Sequence, residues 1–167
     1  MLVTVFQKDL RPMIAKIISG GQTGADRAAL DWAIKHGVPH GGWCPKGRRA
    51  EDGAIPERYV LQETPQRRYQ QRTRWNVRDA DATLLVTLAN DLTGGSLVTY
   101  EYAKILGKPC LHVFPGEEWP EGLKTFLEAH AVQILNVAGP RSSSAPGIEQ
   151  FVSTVLDEAR MKRRIAS

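Results

Sequence analysis

The chain has 167 residues, 42% of them hydrophobic, and 22 basic against 18 acidic side chains give a net charge of +4. That length suits one domain with a sizeable core, and two widely spaced cysteines, Cys44 and Cys110, exclude a disulfide framework. Neither they nor His36, His40, His112 and His130 stand at zinc spacing, so no structural metal is expected and a reducing, cytoplasmic location is.

Residues 1–12 contain Lys8, Asp9 and Arg11 and lack an apolar stretch of signal-peptide or membrane-span length. They read as a short extension before a single ligand-binding domain at 13–167, with no membrane partner. Residues 13–19 are short, β-branched and apolar, as in a strand covered on both faces. Residues 25–36 carry an apolar stripe at Ala25, Ala28, Ala29, Trp32 and Ala33, a helix stopped by Gly37, with Trp32 in the core. Residues 38–44 form a short second strand and 45–56 an irregular polar loop. A helix over 67–79 carries five arginines, and 82–89 is the next buried strand. Residues 90–95 make a second glycine turn before a helix over 96–106, ended by Gly107. A strand at 109–114, a helix at 121–130, a strand at 132–137, a small-residue loop at 139–147 and a helix at 148–163 complete the chain. This alternation predicts an α/β fold: a doubly wound, mainly parallel sheet flanked by helices. Ligands of such folds bind beyond the C-terminal strand ends, where all three glycine or serine turns collect.

The first turn, Gly20-Gly21-Gln22-Thr23-Gly24, has the mechanics of a phosphate-binding loop without the spacing of the dinucleotide or Walker fingerprints. Thr23 and Asp26 also fit a capping box. The second, Thr93-Gly94-Gly95-Ser96, offers a second helix N-terminus, and the hydroxyls of Thr23, Ser96 and Thr99 add hydrogen bonds; Ser96 fits a helix cap equally well. The loop from Trp43 to Gly53 supplies an aromatic plane and the cations Lys46, Arg48 and Arg49, which suit phosphate oxygens or a solvated surface. Arg72 and Glu101, on two helices beside the crevice, are a candidate cation and acid–base pair. Cys44 reads as a buried thiol rather than a nucleophile.

Taken together, Ser19-Gly20-Gly21-Gln22-Thr23-Gly24-Ala25-Asp26-Arg27, Gly42-Trp43-Cys44-Pro45-Lys46-Gly47-Arg48, Trp75-Asn76-Val77 and Gly139-Pro140-Arg141 resemble the putative molybdenum carrier protein family. The resemblance covers about residues 13 to 160. It implies a Rossmann-like fold, within a superfamily that also holds the lysine-decarboxylase-like (Lonely Guy) phosphoribohydrolases. It further implies a pocket for a phosphorylated heterocycle, the molybdenum cofactor or a nucleotide-like ligand, and a homo-oligomer, dimer or tetramer. The phosphoribohydrolase motif Pro-Gly-Gly-x-Gly-Thr-x-x-Glu is similar to 93–101, keeping Gly94, Gly95 and Glu101 but replacing the proline by Thr93, the third glycine by Leu97 and the threonine by Val98.

Two functions follow. One is a carrier that holds its ligand without chemistry at Gly20, Gly21, Gln22, Thr23, Gly24, Asp26, Trp43, Lys46, Arg48, Gly94, Gly95, Ser96 and Thr99. The alternative is a nucleoside-monophosphate N-glycosidase using Glu101 and Arg72. Nucleic-acid binding is disfavoured by the modest charge and 7% aromatic content.

Overall fold

Runs of Ile, Leu and Val shape the sheet. In the computed structural model, which describes residues 14–161, five strands lie parallel: β1 (Lys16–Ile18), β2 (His40–Gly41), β7 (Ala82–Val86), β8 (Cys110–Val113) and β9 (Ile134–Ala138). The extension at 1–12, Met13 of the first expected strand, and Lys162 and Arg163 of the last expected helix lie outside the described residues. Five helices accompany the strands: α1 (Ala25–Lys35), α2 (Tyr69–Asp79), α3 (Gly94–Ile105), α4 (Trp119–Ala129) and α5 (Ile148–Arg160). Among the described residues no helix is long and apolar enough to cross a membrane.

The strand order is β2-β1-β9-β7-β8. The last strand in the chain therefore sits at the centre, between the first and the third strand of the sheet to appear. Counted from β9 as strand one, the order becomes 3-2-1-4-5, that of the doubly wound fold, with its switch point between β9 and β7. Right-handed crossovers put α1 and α4 on one face and α2 and α3 on the other. Packing agrees: α5 lies against α1 and α4, and α2 against α3.

Side chains alternate across the strands, and the two faces differ in chemistry. Toward α1, α4 and α5 point Ile17, Ala82, Leu84, Val86, Leu135 and Val137, which join Ala29, Trp32, Leu123, Val152 and Leu156 in the main core. Toward α2 and α3 point the buried polar residues Thr83, Thr87 and Asn136, and Asn136 Nδ2 donates to Thr83 Oγ1 at 3.2 Å. A polar floor at the switch point needs polar company.

The expected strand at 38–44 divides at Gly42. Its φ of +128° disfavours a side chain, and a Cβ there would collide with the Ser19 carbonyl oxygen. Beyond it β3 (Trp43–Cys44) leaves the main sheet to pair with β6 (Gln62–Glu63), while β4 (Arg49–Ala50) and β5 (Gly53–Ala54) form a hairpin inside the expected loop. This excursion has its own core of Leu30, Cys44, Ala50, Ile55 and Tyr59. Arg48, held at φ +52°, donates to the carbonyls of Ile55 at 3.0 Å, Pro56 at 2.9 Å and Tyr59 at 2.8 Å. Replacing Arg48 by Ala strands those carbonyls, and a loss of about 2 kcal/mol in unfolding free energy is expected by denaturant titration.

Candidate functional site

A cavity of about 740 Å³ opens on the α2 and α3 side of the switch point. Its floor is Asn136, Thr87 and Ala138; its walls are Tyr69, Arg72, Thr73 and Asn76 of α2 and Gly94, Gly95, Ser96 and Thr99 of α3; the loop from Gly139 to Arg141 closes one end. Helix α3 starts at Gly94 with Thr93 as N-cap and no side-chain cap hydrogen bond. Space is open beside both Gly94 and Gly95, and with Ser96 they line the cavity, so the N-terminal, positive end of α3 adjoins it. Thr99 Oγ1 is directed back to the Gly95 carbonyl at 2.8 Å.

The first glycine turn borders the same cavity through Gly20, Gln22 and Asp26, but the Asp26 carboxylate takes the place of an anion there. Asp26 Oδ2 accepts from the Gln22 N–H at 3.2 Å and from Arg72 Nη1 at 3.3 Å, and Arg72 Nη1 also donates to the Gly20 carbonyl at 2.9 Å. A Cβ on Gly20 would strike that guanidinium. The Ala25 N–H at the head of α1 goes to the Pro140 carbonyl at 3.1 Å, and Gly24, at φ +80°, lets the two loops touch. Glu51 then ties three loops: it accepts from Thr23 Oγ1, from Ser143 Oγ at 2.6 Å, and lies 3.8 Å from Arg141 Nη1. These hydroxyl bonds hold its carboxyl below the usual range.

A sheet whose order becomes regular when read from its last strand is what circular permutation produces. Residues 17–160 match the model of the circularly permutated YpsA SLOG family. The chain belongs to that family. The crystal structure of a putative molybdenum carrier protein from Syntrophus aciditrophicus SB is similar at 47% identity and a TM-score of 0.86, covering 90% of this chain and 97% of that one. No curated protein matches the sequence.

In this SLOG chain the residues singled out from sequence fall into two groups. Gly20, Gln22, Asp26, Arg72, Gly94, Gly95, Ser96 and Thr99 line the cavity. Gly21, Thr23, Gly24, Trp43, Lys46, Arg48 and Glu101 do not. Thr23 and Gly24 border a shallower depression with Arg27 and Tyr59. Gly21 packs toward Ile55 and Leu61, and the Trp43 indole donates to Asp79 Oδ2 at 2.7 Å while its ring meets Trp75 edge-on. Lys46 and Glu101 are exposed, and the Arg48 guanidinium faces the carbonyls of its own excursion. The Thr23–Asp26 capping box does not form, since Gly24 is the N-cap and Asp26 receives the Gln22 N–H. Sequence reasoning missed Tyr69, Thr87, Asn136 and, as a site residue, Arg141. Among the described residues no cluster of His, Cys, Asp or Glu could hold a metal ion.

Burial is the largest influence on Asp26 and raises its pKa; Arg72 beside it opposes the shift without cancelling it. A carboxyl whose folded pKa lies above its unfolded value stabilises fully at low pH, and that contribution is lost as pH rises through the folded pKa. The lowered carboxyls Glu51, Asp52 and Asp79 act the other way, and only below about pH 4. His112, lowered by burial, adds stability as pH rises toward its ordinary range. Wild type minus Asp26→Asn therefore isolates the falling limb: the stability difference is expected to move against wild type as pH rises above about 4. Denaturation midpoints across that range would measure it, and parallel pH profiles would count against the account.

Proposed function

We propose that this protein is a binding or carrier protein for a phosphorylated heterocycle, held without chemistry in the switch-point cavity. The supporting observation is the α3 turn. Gly94, Gly95 and Ser96, at its N-terminus without a side-chain cap, line a cavity of ligand size at the place where doubly wound folds bind nucleotides. Arg72 lends positive charge on the opposite wall, and the polar floor at Thr87 and Asn136 suits heteroatoms of a ring. The relative named a molybdenum carrier makes the molybdenum cofactor the first candidate, with a nucleotide as the other. A volume of about 740 Å³ leaves room for a pterin bearing a phosphate. Its lining carries no cysteine or histidine, so molybdenum would be held through its organic ligand.

The N-glycosidase reading loses support from Glu101. That carboxylate sits on the exposed side of α3 and is not among the cavity-lining residues, whereas Arg72 is. A general acid must reach the bond it breaks.

Native mass spectrometry of protein purified without oxygen tests the proposal. A co-purified mass with pterin fluorescence and molybdenum supports the cofactor carrier, and a nucleotide mass supports the nucleotide carrier. Base release from a nucleoside-monophosphate panel that stops in Glu101→Gln would overturn the non-catalytic reading.

A further inference from the structure

Three guanidinium groups converge on one ring at the mouth of the cavity. The Tyr69 ring, which lines the cavity, has the Cζ atoms of Arg49, Arg72 and Arg141 at 4.8, 5.1 and 5.9 Å from its centroid. Cation–π attraction offsets part of their mutual repulsion. Two carboxylates offset part of the rest. Asp26, 3.3 Å from Arg72 Nη1, also accepts the Gln22 N–H, and Glu51 stands 3.8 Å from Arg141 while accepting two hydroxyls.

The donors are largely unspent. Arg49 gives one bond, to the Arg67 carbonyl at 3.3 Å. Arg72 keeps a buried Nε–H, and Gln22 a buried Nε2, that no protein group accepts, and both residues line the cavity wall. The backbone beneath has the same sign. Tyr69 is the first residue of α2, whose N-terminus is preceded by Arg67 and Arg68, has no side-chain cap and has no acidic residue in its first turn. Helices α1, α4 and α5 each carry one there, Asp26, Glu121 and Glu149. Positive charge at a positive helix end is unfavourable unless an anion answers it.

We propose that Arg49, Arg72 and Arg141 form a second anion subsite over Tyr69, and that the ligand carries two anionic groups, as an organic diphosphate does. This rests on the reading that a phosphoryl group occupies the α3 turn. One group binds there, and the second meets the arginine fork geometry at the mouth.

Calorimetric titration with adenosine and guanosine mono- and diphosphates tests it. Each diphosphate is expected to bind at least roughly tenfold tighter than its monophosphate, since it adds a charge-assisted contact. In the double variant Arg49→Gln, Arg141→Gln that ratio falls below about threefold, whereas Arg74→Gln, at an exposed cation on α2, keeps it. Thermal melts confirm the double variant is folded. Equal wild-type affinities, or a ratio that survives the double variant, overturn the mouth subsite. If monophosphates bind and Gly95→Asp weakens them, the α3 reading stands through that failure. If none of the four nucleotides binds, the mouth subsite and the nucleotide carrier both fall, and the α3 reading is left to the pterin phosphate that native mass spectrometry detects.

Discussion

Gly95→Asp is expected to weaken a phosphorylated ligand by about thirtyfold or more, about 2 kcal/mol, while leaving the fold as stable as before. Gly95 is the second residue of α3, has open space where its side chain would grow, and lies in the cavity wall. An aspartate in the first turn of a helix is favourable to the dipole and better than glycine in helix propensity, so thermal melting should hold or rise. The same carboxylate stands where the phosphoryl group would sit and takes the N–H groups for itself. Binding and stability thus move in opposite directions. A variant that loses both is merely misfolded, and one that keeps full affinity removes the phosphate from this turn.

Gly139→Ala should cost about 3 kcal/mol of stability, read from denaturant midpoints. A Cβ there would overlap the Val86 carbonyl oxygen and come within 2.7 Å of Ala25 Cβ. Both obstacles belong to packed elements, the end of β7 and the head of α1, and neither can swing aside. This is the point where β9 leaves the sheet between its neighbours. Gly122→Ala is the contrasting case: in α4, with nothing within 4 Å of the added atom, it should gain up to about 1 kcal/mol. Equal responses at the two positions would refute the claim that Gly139 marks the tight crossing of the switch point.

The alternation of short apolar strands with amphipathic helices was legible in the residues, and so was the gathering of glycine turns at one sheet edge. Each depends on local periodicity. The order of the strands was not legible, because nothing in Ile134–Ala138 announces that this strand inserts between β1 and β7. The break at Gly42 and the excursion behind it were hidden for a similar reason: the constraint is the Ser19 carbonyl, 23 residues earlier in the chain.

Glycine at the first turn illustrates how a correct local reading can leave the site undecided. The sequence 20–24 has the flexibility an anion loop needs, yet Gly20 makes room for Arg72, Gly21 for Ile55 and Leu61, and Gly24 for Pro140. Those partners are distant in sequence. Arg48 is likewise a cation by type and a carbonyl bridge by position. One signal for the cavity was present and overlooked: α2 begins among arginines without an acid in its first turn.

Amide shifts in a ¹⁵N-labelled sample titrated with adenosine diphosphate test the central claim most directly. Gly94, Gly95 and Ser96 are expected to move most, with Tyr69 and Gln70 next, while Lys46 and Arg48 stay in place. Shifts concentrated at Lys46 and Arg48, or an unmoved α3 turn at saturation, would contradict it.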